Sequence, residues 1–202
     1  VASASRSSTA TDLPPADASG AAIRMRARAA LEAAACATLA FARAQACAAP
    51  PEKAAAKVVA PRVRATALLV HTKGYRATGS VTFVQNGDQV VVMADVHNLA
   101  PDSVHGMHLH EKGDCSSGDG MSAGGHFNPD NDPHGPQDGP HHAGDMPSLK
   151  ANANGVAQQT FVLHGVTLSA GAHNILGKAL IVHADADDYT SQPAGNSGAR
   201  IA

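Results

Sequence analysis

Short segments in which apolar and polar residues partly alternate, with valine, threonine and leucine prominent, follow one another after residue 61. They are 62–71, 79–85, 89–98, 104–110, 156–163 and 176–183, and a further strand is expected to begin near Ala199. Partial alternation of this kind is typical of β-strands that bury one face, and no helical periodicity replaces it. The pattern therefore predicts an all-β domain, built as a sandwich or a barrel.

Two Asn-Gly pairs divide these segments. Asn86-Gly87 lies between 79–85 and 89–98, and Asn154-Gly155 precedes 156–163. Because both residue types tolerate positive φ, the first pair predicts a tight hairpin and the second a turn.

Two longer segments without strand patterning, 111–147 and 184–198, are predicted to be loops. The first is rich in glycine, proline, aspartate and histidine, and seven of the 12 histidines of the chain lie between residues 105 and 142. Loops longer than about 15 residues in compact domains are usually either functional or disordered. The concentration of histidine favours a functional loop.

The composition of the chain limits which binding partners and which kind of core are expected. The chain has 15 Lys+Arg against 17 Asp+Glu, so its charge balance gives no indication of nucleic-acid binding. Aromatic residues make up 3% and tryptophan is absent, so the core must be built mainly from Val, Leu, Ile and Ala. A membrane span is not expected, since no apolar run reaches about 18 residues.

Residues 1–47 are interpreted as a disordered start followed by a segment that resembles an export signal, and 48–61 as a linker. Three arginines precede a weakly apolar, alanine-rich stretch, and Ala44-Gln45-Ala46 has the A-x-A form that signal peptidase cleaves. The alternative is an alanine-rich helix or linker. A periplasmic or otherwise exported protein is predicted, with Cys47 as an alternative site of lipid attachment.

Histidine and aspartate occur at spacings suited to metal binding. His108 and His110, at the end of a predicted strand, project from one face because side chains alternate along a strand. His126, His134, His142 and Asp145 follow in the first loop, and His183 ends a later strand. Paired neutral imidazoles suit copper or zinc, and zinc accepts an aspartate oxygen. One H-x-H motif is weak evidence, whereas the whole set predicts a two-metal site rather than a solvated histidine-rich loop.

Several blocks of sequence resemble the copper/zinc superoxide dismutase family, in its exported bacterial form. They are Gly106-Met107-His108-Leu109-His110, Gly124-Gly125-His126-Phe127-Asn128-Pro129, His134-Gly135, His142-Ala143-Gly144-Asp145, Val182-His183-Ala184-Asp185-Ala186-Asp187-Asp188 and Gly195-Asn196-Ser197-Gly198-Ala199-Arg200-Ile201-Ala202. They occur in the order found in the family, and the similarity as a whole covers about residues 62–202. The resemblance implies an eight-stranded Greek-key β-barrel with two long functional loops, and an enzyme that converts superoxide to oxygen and hydrogen peroxide.

The resemblance also implies a role for each position. The copper ligands would be His108, His110, His126 and His183. The zinc ligands would be His126, His134, His142 and Asp145, with His141 as an alternative to His142. Catalysis would depend on His126, as the bridge between the metals, and on Arg200, which would attract superoxide. Asp187 would hydrogen-bond one histidine of each metal site and so fix their orientation.

Cysteine is where the sequence departs from the family pattern. Cys115 resembles the first partner of the family's disulfide, whereas the second would follow Ala202, beyond the end of this sequence. The domain at 62–202 is therefore expected to be truncated at its C-terminal end.

Two other functions are considered: a non-enzymatic copper- and zinc-binding domain of the same fold, and a structural β-domain with an incidental histidine loop. The remaining histidines are expected at the surface: His71, His97, His105, His164 and His173. The exceptions considered are His97 and His105, because they lie near His108 and His110 in the sequence. The sequence leaves open whether the protein is a monomer or a homodimer.

Overall fold

The structure, a computed structural model, describes residues 62–202. The predictions for 1–47 and 48–61, including the export signal and Cys47, lie outside the described residues. The strands are β1 (Arg64–Leu69), β2 (Thr78–Asn86), β3 (Gln89–His97), β4 (Val104–His105), β5 (Met107–His110), β6 (Leu149–Lys150), β7 (Ala157–Leu163) and β8 (Ala179–Val182), with a short 3-10 helix at Met121–Ala123.

The strands form one four-stranded antiparallel sheet, in the order β1-β2-β3-β7, and two short antiparallel ladders, β4-β6 and β5-β8. Asn86 pairs with Gln89 across the turn at Gly87, whose φ is 63°. The predicted hairpin is therefore confirmed, because Gly87 adopts the positive φ that its type favours.

One buried face of the four-stranded sheet supplies much of the core. Along β3, Val90, Val92, Ala94 and Val96 are buried, while the residues between them are exposed or half-buried. These side chains belong to the same apolar cluster as β5 and β8, so the core lies between the sheet and the β5-β8 ladder. The all-β class is confirmed, and the cluster consists chiefly of aliphatic residues, as the composition predicts. The closed eight-stranded Greek-key barrel stays a prediction.

The strand bounds correct several expectations. The predicted strand 104–110 is divided at Gly106, because β4 pairs with β6 whereas β5 pairs with β8. The predicted strand 176–183 begins only at Ala179, after a turn in which Gly177 has a φ of 78°. The last strand is reduced to a bridge between His183 and Arg200, followed by a hydrogen bond from the Ile201 N–H to the carbonyl oxygen of Val182. The described residues include no helix long enough and apolar enough to cross a membrane.

Phe83 in β2 provides a test of where the core lies, since its side chain is 0% exposed. Phe83→Ala should lower the free energy of unfolding by about 3–5 kcal/mol, because it removes apolar contacts and leaves a cavity. Leu68→Ala is the matched control, because Leu68 lies on the same sheet and is 60% exposed. It should change stability by less than about 0.5 kcal/mol. Equal effects of the two substitutions in urea unfolding would contradict this location of the core.

Candidate metal centre

β5 carries two of the candidate ligands on the face opposite the core. Met107 and Leu109 point into the apolar cluster, and the alternation of side chains along a strand sends His108 and His110 to the other side. The pairing of Met107 with Val182 brings His183 beside them, and the His183 N–H donates to the carbonyl oxygen of Gly106 at 2.8 Å.

Two backbone hydrogen bonds attach the long loop, residues 111–147, to this strand, and a third joins the two attached residues of the loop to each other. The Phe127 N–H donates to the Leu109 carbonyl, the Leu109 N–H to Gly144, and the Gly144 N–H to Phe127, each at 2.8 Å. Each of these residues is next in sequence to a candidate ligand. This closed set of three hydrogen bonds therefore brings together ligands that are far apart along the chain. Gly144 must lack a side chain, since a Cβ there would lie 2.4 Å from the carbonyl oxygen of Leu109.

The first group of candidate ligands, called the four-histidine group below, consists of His108, His110, His126 and His183. One ring nitrogen from each lies within 4.8 Å of the others. In each residue a buried ring nitrogen has no hydrogen-bond partner: Nδ1 of His108, and Nε2 of His110, His126 and His183. Burying a polar atom without a partner is costly, so four such nitrogens in one place fit a metal ion better than any packing role.

The second nitrogen of each ring has a partner, and in three of the rings that partner lies outside both groups of candidate ligands. His108 Nε2 lies 2.7 Å from Oδ2 of Asp187, His110 Nδ1 donates to the Gly124 carbonyl at 2.9 Å, and His183 Nδ1 donates to the Gly198 carbonyl at 3.3 Å. A nitrogen that donates a hydrogen bond carries the proton, which leaves the other nitrogen of the neutral ring with a lone pair. The hydrogen bonds therefore select the tautomer that a metal ligand requires.

The second group, called the three-histidine and aspartate group below, consists of His126, His134, His142 and Asp145. The distances to Asp145 are 2.8 Å from His126 Nδ1, 3.0 Å from His134 Nδ1 and 3.4 Å from His142 Nδ1. Three nitrogens and a carboxylate that converge in this way match the donor set of a zinc site. His126 belongs to both groups: its Nδ1 contacts Asp145 of this group, and its buried Nε2 has no hydrogen-bond partner.

Asp187 joins the two groups. Its Oδ2 lies 2.7 Å from His108 Nε2, and its Oδ1 lies 2.9 Å from His134 Nε2, with the side chain 0% exposed. Gly195 lies against this contact: a Cβ there would be 1.8 Å from Oδ1 of Asp187 and 2.6 Å from Nε2 of His134.

Burial keeps three of the imidazoles neutral. It lowers the pKa of His110 to about 2, that of His183 to about 3 and that of His126 to about 4. Burial alone would raise the pKa of Asp145, but hydrogen bonds with His126 and His142 hold it well below its usual value. At neutral pH His110, His126 and His183 are therefore uncharged and Asp145 is ionised, which are the protonation states that metal binding needs.

Arg200 lies beside the four-histidine group. Its Nη1 donates to the Gly120 carbonyl at 2.6 Å and its Nη2 to the Gly124 carbonyl at 2.7 Å. Burial lowers the pKa of Arg200, but a guanidinium stays charged at any physiological pH. The Gly124 carbonyl also accepts from His110, so the cation and this candidate ligand share one anchor.

The sequence profile of the family described as copper/zinc superoxide dismutase (SODC) matches residues 77–202, which is more than half of the chain. The chain belongs to the copper/zinc superoxide dismutase family. Copper and zinc are the metals that this family implies, and the two groups of side chains could bind them.

Three relatives illustrate the similarity. Superoxide dismutase [Cu-Zn] 1 of Aquifex aeolicus is 38% identical over 150 residues, which cover 71% of this chain and 88% of the relative. The extracellular superoxide dismutase [Cu-Zn] of Haemonchus contortus is 37% identical and covers 63% of this chain and 72% of its own length. The crystal structure of a SOD-like protein from Bacillus subtilis superimposes with a TM-score of 0.62 at 37% identity, over 67% of this chain and 93% of that structure.

The other histidines divide into three cases. His141 lies outside both groups, and its Nδ1 donates to the Gly139 carbonyl at 2.7 Å. His105 was expected at the surface, which is wrong: it is 4% exposed. Its Nδ1 donates to the His183 carbonyl at 2.8 Å, and its Nε2 lies 2.7 Å from Ser103 Oγ. The remaining histidines, His71, His97, His164 and His173, are exposed or half-buried, as expected.

The sequence alone missed the contacts that hold the two loops together. Gln192 accepts the His134 N–H at 2.9 Å and donates to the His134 carbonyl at the same distance. No local signal marks this glutamine, because its partner is distant along the chain. Cys115 is half-buried against Ala123, Ala179 and Ile181, and its disulfide stays a prediction.

Gly195→Ala tests the contact between Asp187 and His134. The added Cβ should displace their hydrogen bond, and loss of a hydrogen bond behind a metal ligand typically costs about 10–100-fold in metal affinity. Gly165→Ala is the matched control, since its φ of 71° is close to the 68° of Gly195 and its Cβ would meet nothing within 4 Å. Both substitutions carry the cost of a positive φ, so a zinc affinity equally reduced in both would refute this account.

The lowered histidine pKa values predict how the metal-free protein responds to acid. Unfolded histidines take up protons near pH 6.5, whereas His126 and His183 in the fold do so only near pH 4 and 3. The unfolded state therefore binds more protons below pH 6.5, and the free energy of unfolding should fall as the pH is lowered toward 4.

Each such histidine contributes a slope of up to about 1.4 kcal/mol per pH unit. Urea unfolding of chelator-treated protein between pH 7 and 5 measures this slope. His110→Gln should reduce it, and the exposed His164→Gln should leave it unchanged. An unaltered slope in His110→Gln would contradict the prediction.

Proposed function

We propose that this protein is a superoxide dismutase that binds copper at the four-histidine group and zinc at the three-histidine and aspartate group. The observation that carries the proposal is that His126 belongs to both groups, with Nδ1 2.8 Å from Asp145 and a second, buried nitrogen, Nε2, that no hydrogen bond uses. Histidine is suited to this position because it offers two nitrogens in one rigid ring.

The donor types support the division between the metals. The four-histidine group offers nitrogen alone, which suits copper, and the other group adds the ionised oxygen of Asp145, which zinc accepts. When bound, copper supplies the one-electron oxidation and reduction that dismutation requires, whereas zinc has no redox chemistry. In the balanced reaction, two superoxide anions and two protons give one molecule of oxygen and one of hydrogen peroxide.

The chain's own residues would attract the substrate and hold a proton. The guanidinium of Arg200 has five N–H donors, and the two contacts to Gly120 and Gly124 leave others to donate to a small anion. His126 can hold a proton at Nε2 between the two half-reactions while Nδ1 remains directed toward Asp145. Burial keeps His110 and His183 uncharged, so the charge that the protein places beside these two rings is the guanidinium of Arg200.

A non-enzymatic metal-binding domain of the same fold is the alternative. One solved relative is named only a SOD-like protein, so membership of the family does not decide activity. The dismutase is favoured because both groups and Arg200 lie together in this chain. Export remains part of the proposal, and the extracellular relative of Haemonchus contortus supports it.

Metal analysis and a superoxide-consumption assay on the reconstituted chain test the proposal. About one copper and one zinc per chain are expected. His110→Ala and His126→Ala should each lower the rate at least about a hundredfold, because each removes a nitrogen that only imidazole supplies there. His97→Ala, a half-exposed histidine outside both groups, is the control and should leave the rate unchanged. Full metal loading without dismutation would favour the alternative, and activity that survives His110→Ala would refute the copper assignment.

A further inference from the structure

Tyr189 lies in the loop 184–198, two residues after Asp187, in an unusual backbone conformation. Its φ is 54°, in the left-handed region that few residues other than glycine adopt. In this conformation its main-chain N–H donates to Oδ1 of Asp187 at 2.8 Å. A bulky residue stays in such a conformation only where surrounding contacts hold it there.

The phenol hydroxyl supplies one of those contacts. It accepts the Ser148 N–H at 2.7 Å, lies 2.9 Å from Ser148 Oγ, and donates to the Met146 carbonyl at 3.4 Å. Ser148 follows Asp145 by three residues and precedes β6. The hydroxyl therefore ties the loop 184–198 to the segment that carries Asp145.

The ring of Tyr189 also lies along His134. The two ring planes are parallel within 5°, with centroids 6.5 Å apart. His134 is thus approached by three side chains of the same loop, since Asp187 contacts its Nε2 and Gln192 its main chain.

We propose that Tyr189 is a positioning residue for the three-histidine and aspartate group. Its hydroxyl, anchored on Ser148, holds the Tyr189 N–H against Oδ1 of Asp187. That oxygen then remains where His134 Nε2 meets it, and Nδ1 of His134 stays directed toward Asp145. The inference rests on the proposed function, in which this group binds zinc.

The two oxygens of Asp187 indicate which of the two metal groups should depend more on Tyr189. Tyr189 acts on Oδ1, which contacts His134, whereas His108 of the four-histidine group contacts Oδ2. Loss of the hydroxyl should therefore weaken zinc binding more than copper binding.

Three substitutions in the full chain isolate the hydroxyl. Tyr189→Phe removes it and keeps the ring, and Ser148→Ala removes the serine hydroxyl but keeps the N–H that Tyr189 accepts. Tyr75→Phe is the matched control, because the chain has two tyrosines and Tyr75 is 39% exposed. Competition with a zinc-chelating dye should show about tenfold weaker zinc binding in Tyr189→Phe. That is the lower end of the loss of metal affinity typical for residues that position a metal ligand. Ser148→Ala and Tyr75→Phe should stay within about twofold of the unsubstituted protein.

A second readout separates positioning from general support of the fold. The chain has no tryptophan, so in Tyr75→Phe the near-ultraviolet circular dichroism of tyrosine comes from Tyr189 alone, and it should change when zinc binds. In Tyr189→Phe, copper affinity should fall less than zinc affinity, and the melting temperature of the metal-free protein should change no more than in Tyr75→Phe.

Zinc affinity unchanged in Tyr189→Phe would overturn the inference. So would an equal loss of zinc and copper together with a lower melting temperature, since that describes a structural role. Zinc binding unaffected by His142→Ala would overturn the proposed zinc site and this inference with it. Normal zinc binding without dismutation would overturn only the proposed activity. The inference about Tyr189 would still be tested by the zinc affinities of Tyr189→Phe and Tyr75→Phe.

Discussion

The buried carboxylate of Asp187 accepts hydrogen bonds from imidazoles of both groups, and the geometry of the whole centre depends on it. Each of its oxygens takes one imidazole N–H, Oδ2 from Nε2 of His108 and Oδ1 from Nε2 of His134. Because a neutral imidazole has one proton, both rings must then direct Nδ1 as an acceptor into their groups. A single ionised side chain therefore sets two tautomers and joins the loop 184–198 to β5 and to the long loop. Its burial is tolerable only because donors surround it.

The backbone brings the ligands together before any metal is considered. The closed set of hydrogen bonds among Leu109, Phe127 and Gly144 places residues from three parts of the chain side by side, and the candidate ligands are their neighbours in sequence. Such preorganisation leaves several buried nitrogens without partners, a cost that the fold carries until a metal satisfies them. A metal bound at these nitrogens would therefore stabilise the folded domain.

The features that sequence predicts well are those with a local cause. The strands with alternating residues and the Asn86-Gly87 hairpin follow from period and turn chemistry, and the family motifs name the residues of both groups. The break at Gly106 and the two-residue strand Leu149–Lys150 were not predicted, because segments this short show no alternation of apolar and polar residues that could be recognised. His105 was misplaced because its burial depends on the His183 carbonyl and Ser103, which no local pattern reveals.

The Gly124 carbonyl shows why the position of Arg200 and that of the candidate ligand His110 are not independent. It accepts one hydrogen bond from Nδ1 of His110 and another from Nη2 of Arg200, and a carbonyl oxygen has two lone pairs with which to do so. Gly120 accepts the second guanidinium bond, so the cation cannot rotate freely about the first. The distance between the charge that would attract superoxide and the ring that would bind copper is therefore set by main-chain atoms of one loop. Without these hydrogen bonds the flexible side chain of Arg200 would leave that distance variable. Hydrogen bonds from both side chains to main-chain carbonyls fix it.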